Sequence, residues 1–310
     1  MGVPIGLRRE LTSLTSESER LLIELPKMGG ARGRMSEEQT VRVWSAIWER
    51  TIAGGLAEAP SVNGSVAEHG ARWRQVGYLA DSGRLACSSA ALGQWALAAA
   101  ARIRSLAAGR TQRLLEIGCG TGMLAVQLAS TYEYAGVDPV ASAVHRLSLE
   151  LPKAHFEVCD ALSVPARLLS GRLVIVNSVA QYFPSMGYLR RVLRRCASCG
   201  ALAVFVGDVR PAELLAHQRR MLHEEGMDER ELTPPLAAFE GCGYDAVRVL
   251  LHSDGSRSHF ERFRCDVYLD NEVSVAPPPR RDWTPAERFE TAGWIRRVPN
   301  GALVEEGGGG

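Results

Sequence analysis

Between residues 113 and 206 the sequence alternates five short apolar runs with helical patterns, and few folds accommodate that texture. The runs at 113–117, 134–138, 155–158, 173–176 and 202–206 predict strands, and the segments 123–130, 141–149 and 188–196 predict helices between them. Neighbouring parallel strands need a crossover connection long enough to hold a helix, so this alternation implies a parallel sheet covered on both faces. Two further strands are expected at 245–252 and 260–269. Their connection is too short for a helix, so they form an antiparallel hairpin. The fold class is therefore α/β, a doubly wound, Rossmann-like, mostly parallel seven-stranded sheet.

The flanks differ in composition from this core. Leu7, Leu11, Leu14, Leu21, Leu22 and Leu25 recur at helical spacing until Pro26 and Gly29-Gly30 end the pattern. Such an amphipathic helix needs a partner surface: its own core, a cleft that it covers as a lid, or a second copy in a homodimer. A Gly/Arg-rich link spans 27–36. A helix at 37–53 carries Val41, Trp44, Ile47 and Trp48 on one face, and another covers 90–107. Beyond residue 270, Pro277-Pro278-Pro279 and Arg280-Arg281 open a tail that ends in four glycines. The expected organisation is an N-terminal helical cap or lid (1–110), a core (111–270) and a partly disordered C-terminal extension (271–310).

A formal net charge of +1 gives no global attraction to nucleic acid or to an anionic membrane. The most apolar stretch, 90–103, is short and interrupted by Gln94 and Arg102, so no membrane span is expected. No signal pattern opens the chain, and the seven cysteines are scattered and odd in number; both favour the cytoplasm. Cys196 and Cys199 form a CxxC with no second pair at metal spacing, so no metal is expected.

The segment Leu114-Leu115-Glu116-Ile117-Gly118-Cys119-Gly120-Thr121-Gly122 runs from the first strand into a glycine-rich turn, where backbone can approach a ligand. The third glycine of the GxGxxG dinucleotide fingerprint would fall at Met123, which argues against a nicotinamide oxidoreductase. Glu116 beside the loop would repel a pyrophosphate but suits the cationic methionine end of S-adenosylmethionine. Asp138 ends the second strand 22 residues later, where a carboxylate can accept both ribose hydroxyls. Asp160 follows the third strand and could accept the adenine amine. Gly118, Cys119, Gly120, Gly122, Pro139 and Ala161 complete the expected cofactor contacts, with Asn177 and Ser178 after the fourth strand. Each aspartate alone is also a common turn or cap residue.

These residues resemble those of class I S-adenosylmethionine-dependent methyltransferases, whose sheet also ends in a hairpin. A narrower resemblance, over roughly 112–304, is to the methyltransferase domains of nonribosomal peptide synthetases. Val176-Asn177-Ser178-Val179-Ala180-Gln181-Tyr182-Phe183-Pro184 is similar to their "NSVxQYFP" segment. Val206-Gly207-Asp208-Val209-Arg210 resembles "GDVR", Arg262-Phe263-Arg264-Cys265-Asp266-Val267 resembles "RFRYDV", and Val298-Pro299-Asn300 resembles "PNAR". The resemblance implies methyl transfer, usually to an aminoacyl nitrogen on a carrier protein, with S-adenosylhomocysteine as product.

This chain departs from that pattern in two ways. The family's His-Asn-Glu before the last strand is Arg257, Ser258 and His259 here, and the 310 residues hold no adenylation or carrier sequence. A free small molecule is thus as open as a tethered acceptor, O- or C-methylation stands beside the favoured N-methylation, and a non-catalytic cofactor-binding protein stays open.

The candidate catalytic residues are three. His259 could act as base, because imidazole titrates near neutrality, or be an exposed hairpin residue. Tyr182 could line the acceptor pocket or simply pack. Asp208 could orient a nucleophile or cap the following helix. Arg190, Arg191, Arg194 and Arg195 form a basic helix face, either solvated or a docking surface for an acidic carrier protein.

Overall fold

The computed structural model describes residues 35–56, 89–215, 231–251 and 264–271. The leucine-patterned segment at 7–25, with its expected lid or dimer contact, His259, residues 298–300 and the C-terminal tail lie outside these residues.

Seven strands form one sheet: β1 (Arg113–Ile117), β2 (Glu133–Asp138), β3 (His155–Val158), β4 (Leu173–Asn177), β5 (Ala203–Val209), β6 (Ala246–Leu251) and β7 (Cys265–Asp270). Their order is β3-β2-β1-β4-β5-β7-β6. β1 to β5 pair in parallel, while β7 runs antiparallel between β5 and β6. The order reverses between β1 and β4, which opens a crevice at their carboxyl ends. The expected doubly wound sheet and its terminal hairpin are both present.

The helices that accompany the strands include α1 (Glu37–Leu56), α2 (Ser89–Ala107), α3 (Ala125–Leu128), α4 (Ala141–Glu150), α5 (Ala166–Leu169) and α6 (Met186–Ser198). Period-2 alternation along the strands divides the core between the two sheet faces. Leu115, Val174, Val176, Val204 and Val206 pack with Leu189, Val192 and Leu193 of α6. Leu114, Leu173, Ile175 and Phe205 pack on the other face with Ala99 and Ile103 of α2 and Leu128 of α3.

α3 is shorter than the 123–130 helix expected. The Gln127 N–H bonds to the Leu124 carbonyl, and the Thr131 N–H to that of Leu128, so tight three-residue turns close both ends. β5 runs past Val206 to Val209, with a register shift against β7 between those residues.

α1 begins with a capping box: the Gln39 N–H donates to Ser36 Oγ (3.1 Å) and the Ser36 N–H to Gln39 Oε1 (2.7 Å). Glu37 accepts from Ser185 Oγ and pairs with Arg191, fixing this end beside α6. Farther along, Ile52 packs on Val140 and Ala143 at the start of α4. α1 therefore bridges the two sides of the crevice.

The arginines of α6 are largely engaged within the molecule. Arg191 meets Glu37, Arg190 donates to the Ala238 carbonyl (3.2 Å), and Arg195 donates to that of Val164 (2.8 Å). Cys196 lies on the buried face of α6 and Cys199 caps its end. No described helix is long and apolar enough to cross a membrane.

Candidate active site

The carboxyl ends of β1 to β4 and one face of α1 enclose a cavity of about 160 Å³. Its floor is the turn after β1. Gly118 and Cys119 donate their N–H groups to the Val137 carbonyl (2.7 and 3.1 Å), tying the turn to β2. Gly118 has φ +79° and lies so close to Val179 that a Cβ would come within 2.3 Å of its Cγ2. A Cβ at Gly120 would meet nothing within 4 Å, so the bare backbone there faces open space. Gly122 is as confined as Gly118, against Leu147.

Three carboxyl groups line the cavity. Glu116 is buried, and its carboxyl accepts the Tyr134 hydroxyl proton. Burial pushes its pKa up to about 8; the Tyr134 bond opposes that rise and the nearby Asp138 adds to it. Asp138 accepts the Gly120 N–H through Oδ2 (2.8 Å) and the Val140 N–H through Oδ1 (2.9 Å). Burial raises it to about 6, held back by those two bonds and augmented by Glu49. Asp160 accepts from the Leu162 and Ser163 N–H groups (2.8 and 2.9 Å) and from Ser163 Oγ (3.0 Å). A carboxylate has about four acceptor positions, so capacity for a ligand donor remains.

The end of β4 supplies Asn177 and Ser178. The Asn177 carboxamide lies against Gly207, where a Cβ would fall 2.1 Å from Oδ1. This oxygen is buried and accepts no hydrogen bond among the described residues. Ser178 donates its hydroxyl proton to Asp208 Oδ2 at 2.5 Å.

The roof is aromatic. Tyr182 lies between Trp44 and Trp48 of α1, with ring centroids 4.8 and 5.3 Å away. Val41, Ser45 and Ile52 extend this face of α1, while Phe183 and Tyr188 line the adjoining wall.

Of the residues expected at the cofactor, Glu116, Gly118, Cys119, Gly120, Asp138, Pro139, Asp160, Ala161, Asn177 and Ser178 all line this one cavity; Gly122 does not line it and packs against Leu147. Tyr182 also lines it. Asp208 does not: it is buried behind Ser178 and paired with Arg264. Sequence reasoning missed Tyr134, the partner of Glu116, and Trp95, which also lines the cavity. It placed Trp44 and Trp48 on one helix face without assigning that face to the site. Two tryptophans four residues apart were the available signal.

These groups fit S-adenosylmethionine. The space above Gly120 admits a ligand against bare backbone, and the carboxyls suit a cationic nucleoside.

Residues 114–200 match the family model described as a methyltransferase domain. The chain is similar to Peramine synthetase A of Epichloe festucae (strain Fl1), with 35% identity over 135 residues, 39% of this chain and 5% of that protein. It is also similar to the probable non-canonical nonribosomal peptide synthetase CymA of Salinispora arenicola (strain CNS-205), with 34% identity over 226 residues, 62% of this chain and 3% of that protein. The chain thus spans only a small fraction of the length of these relatives. Among solved structures, magnesium protoporphyrin IX methyltransferase from Synechocystis PCC 6803 with bound SAM aligns over 77% of this chain and 98% of its own, with 13% identity and a TM-score of 0.48.

Proposed function

We propose, from the premise that the chain is a class I S-adenosylmethionine-dependent methyltransferase resembling the methyltransferase domains of nonribosomal peptide synthetases, that it methylates the nitrogen of a small or peptide-derived acceptor in specialised metabolism. The observation that carries this reading is one cavity joining an acidic, glycine-floored half to an aromatic half. Glu116, Asp138 and Asp160 hold the cofactor at the edges of β1, β2 and β3. The acceptor lies beneath Trp44, Trp48 and Tyr182, where flat rings cover apolar surface and exclude water.

When bound, S-adenosylmethionine supplies an already activated methyl group. What remains for the protein is to align the nucleophile, keep water out and receive a proton. Tyr182, wedged between two tryptophans, has little freedom and offers a fixed wall for alignment. Asp208 acts through Ser178 rather than on the acceptor. His259 receives the proton in this reading, on the strength of its chemistry and its place before β7. The scattered cysteines fit action in the cytoplasm.

The test is a screen for S-adenosylhomocysteine formation with free amino acids, aminoacyl thioesters on carrier protein, and phenols. Turnover on amines supports the reading; turnover on phenols alone overturns it. His259→Ala is expected to cut turnover at least about tenfold, within the usual range for a general base, and to leave the cofactor dissociation constant unchanged. Unaltered turnover removes His259 from the mechanism.

A further inference from the structure

Ser178 and Asp208 are the two residues other than glycine with positive φ among the described residues, at +56° and +62°. Each follows one member of the Asn177–Gly207 pair that joins β4 to β5. Left-handed backbone is strained for a residue with a Cβ, and such strain concentrates where a side chain must be aimed. Here it brings the Ser178 hydroxyl to Asp208 Oδ2 at 2.5 Å. The same carboxylate oxygen accepts from Arg264, and the Asp208 N–H donates to Asp266 Oδ1 (2.9 Å). Asp266 in turn meets Arg102 at 2.5 Å. Asp208 is thus clamped from both its backbone and its side chain.

A serine hydroxyl has one proton and two lone pairs. With the proton given to Asp208, Ser178 can offer the cavity only lone pairs. It can accept from an N–H group and cannot donate to a carbonyl or carboxylate. We propose that Ser178 accepts a hydrogen bond from the N–H of the acceptor amine, and that Asp208 is the positioning residue that fixes this polarity. The proposal deepens the N-methylation reading above and rests on it.

The chemistry favours this arrangement. The nitrogen lone pair forms the bond to the methyl carbon as the carbon–sulfur bond breaks and leaves its electron pair on sulfur. The nitrogen acquires positive charge, its remaining N–H becomes more acidic, and the bond to Ser178 Oγ strengthens. An interaction stronger in the transition state than in the ground state raises turnover. Ser178 keeps its own proton throughout; the new ammonium loses a proton afterwards to water or to the base.

Ser178→Gly tests this directly, because glycine adopts φ +56° without strain. The variant is expected to fold, because relief of the strained backbone offsets part of the lost bond to Asp208, and its cofactor dissociation constant is expected to change far less than its kcat. Its kcat on the best amine of the screen is expected to fall about 30-fold, the scale of one charge-assisted hydrogen bond. Asp208→Asn keeps its amide oxygen toward Arg264 and Ser178 but removes the charge, so the hydroxyl is held less firmly and a smaller loss of kcat is expected. In the Ser178→Gly background, Asp208→Asn is expected to add less than about twofold, because Asp208 acts through Ser178.

Calorimetry supplies a readout independent of turnover. Wild type is expected to prefer the amine over an analogue with methoxy in place of the amino group by about tenfold, and Ser178→Gly to bind both alike. Wild-type kcat in Ser178→Gly, or retained discrimination between the two ligands, overturns the proposal. A wild type with no turnover on any amine overturns the N-methylation reading itself, and the proposal with it.

Discussion

In a Glu116→Gln variant the affinity for S-adenosylmethionine is expected to fall about 10- to 100-fold, while the empty protein gains stability as pH rises above about 4.5. The first effect is the loss of a charge-assisted contact to a cationic ligand, worth about 1.5–3 kcal/mol. The second follows from linkage. In the folded, empty protein burial raises Glu116 from 4.5 to about 8. Between those values the native state binds one more proton than the unfolded chain, so stability falls as pH rises through this window. Near pH 7 the loss is on the order of 3 kcal/mol. Glutamine stays neutral and avoids it. The variant should therefore outlast the wild type in urea at pH 8 and match it at pH 4.

The same linkage acts on binding. A cationic ligand favours the Glu116 carboxylate, so its arrival at pH 7 expels a proton. Affinity should rise with pH from about 6 toward 8, by up to about tenfold per unit. The groups facing Glu116 are Tyr134, Asp138 and Cys119. Burial raises the Tyr134 hydroxyl and the Cys119 thiol well above their ordinary values, so neither titrates in this window, while Asp138, raised to about 6, contributes at its lower edge.

Asp138→Ala is expected to weaken cofactor binding by about 1–3 kcal/mol through unmade charged hydrogen bonds. The loss has two parts, since Asp138 both offers acceptors to the cavity and holds the Gly120 and Val140 N–H groups. Asp138→Asn keeps one oxygen for those donors and is expected to lose less. KM for the acceptor should change little in either variant. Titration calorimetry checks this, and an unaltered cofactor dissociation constant in Asp138→Ala refutes the ribose assignment.

Strands and the glycine turn were legible because local rules determine them. A buried parallel strand reads as an apolar run, and the residues at its carboxyl end, Glu116, Asp138 and Asn177, then follow by counting. Tyr134 was not legible as a partner of Glu116, because the β1–β2 pairing that brings them together joins residues 18 apart in sequence. Asp208 is the clearest failure of periodicity. A bulge in β5 reorients its side chain, and Arg264 reaches it across 56 residues of sequence. The aromatic roof lay between these extremes. Trp44 and Trp48 were placed correctly on one helix face, but what that face covers depends on how α1 spans the crevice.

In the proposed function the carboxyl edge of β1 to β4 grips a sulfonium nucleoside. Titration calorimetry of the purified chain with S-adenosylmethionine at pH 7, in two buffers of different ionisation enthalpy, tests it most directly. The expected result is saturable binding at one site, with proton release that disappears in Glu116→Gln. Absence of heat with both S-adenosylmethionine and S-adenosylhomocysteine would contradict it.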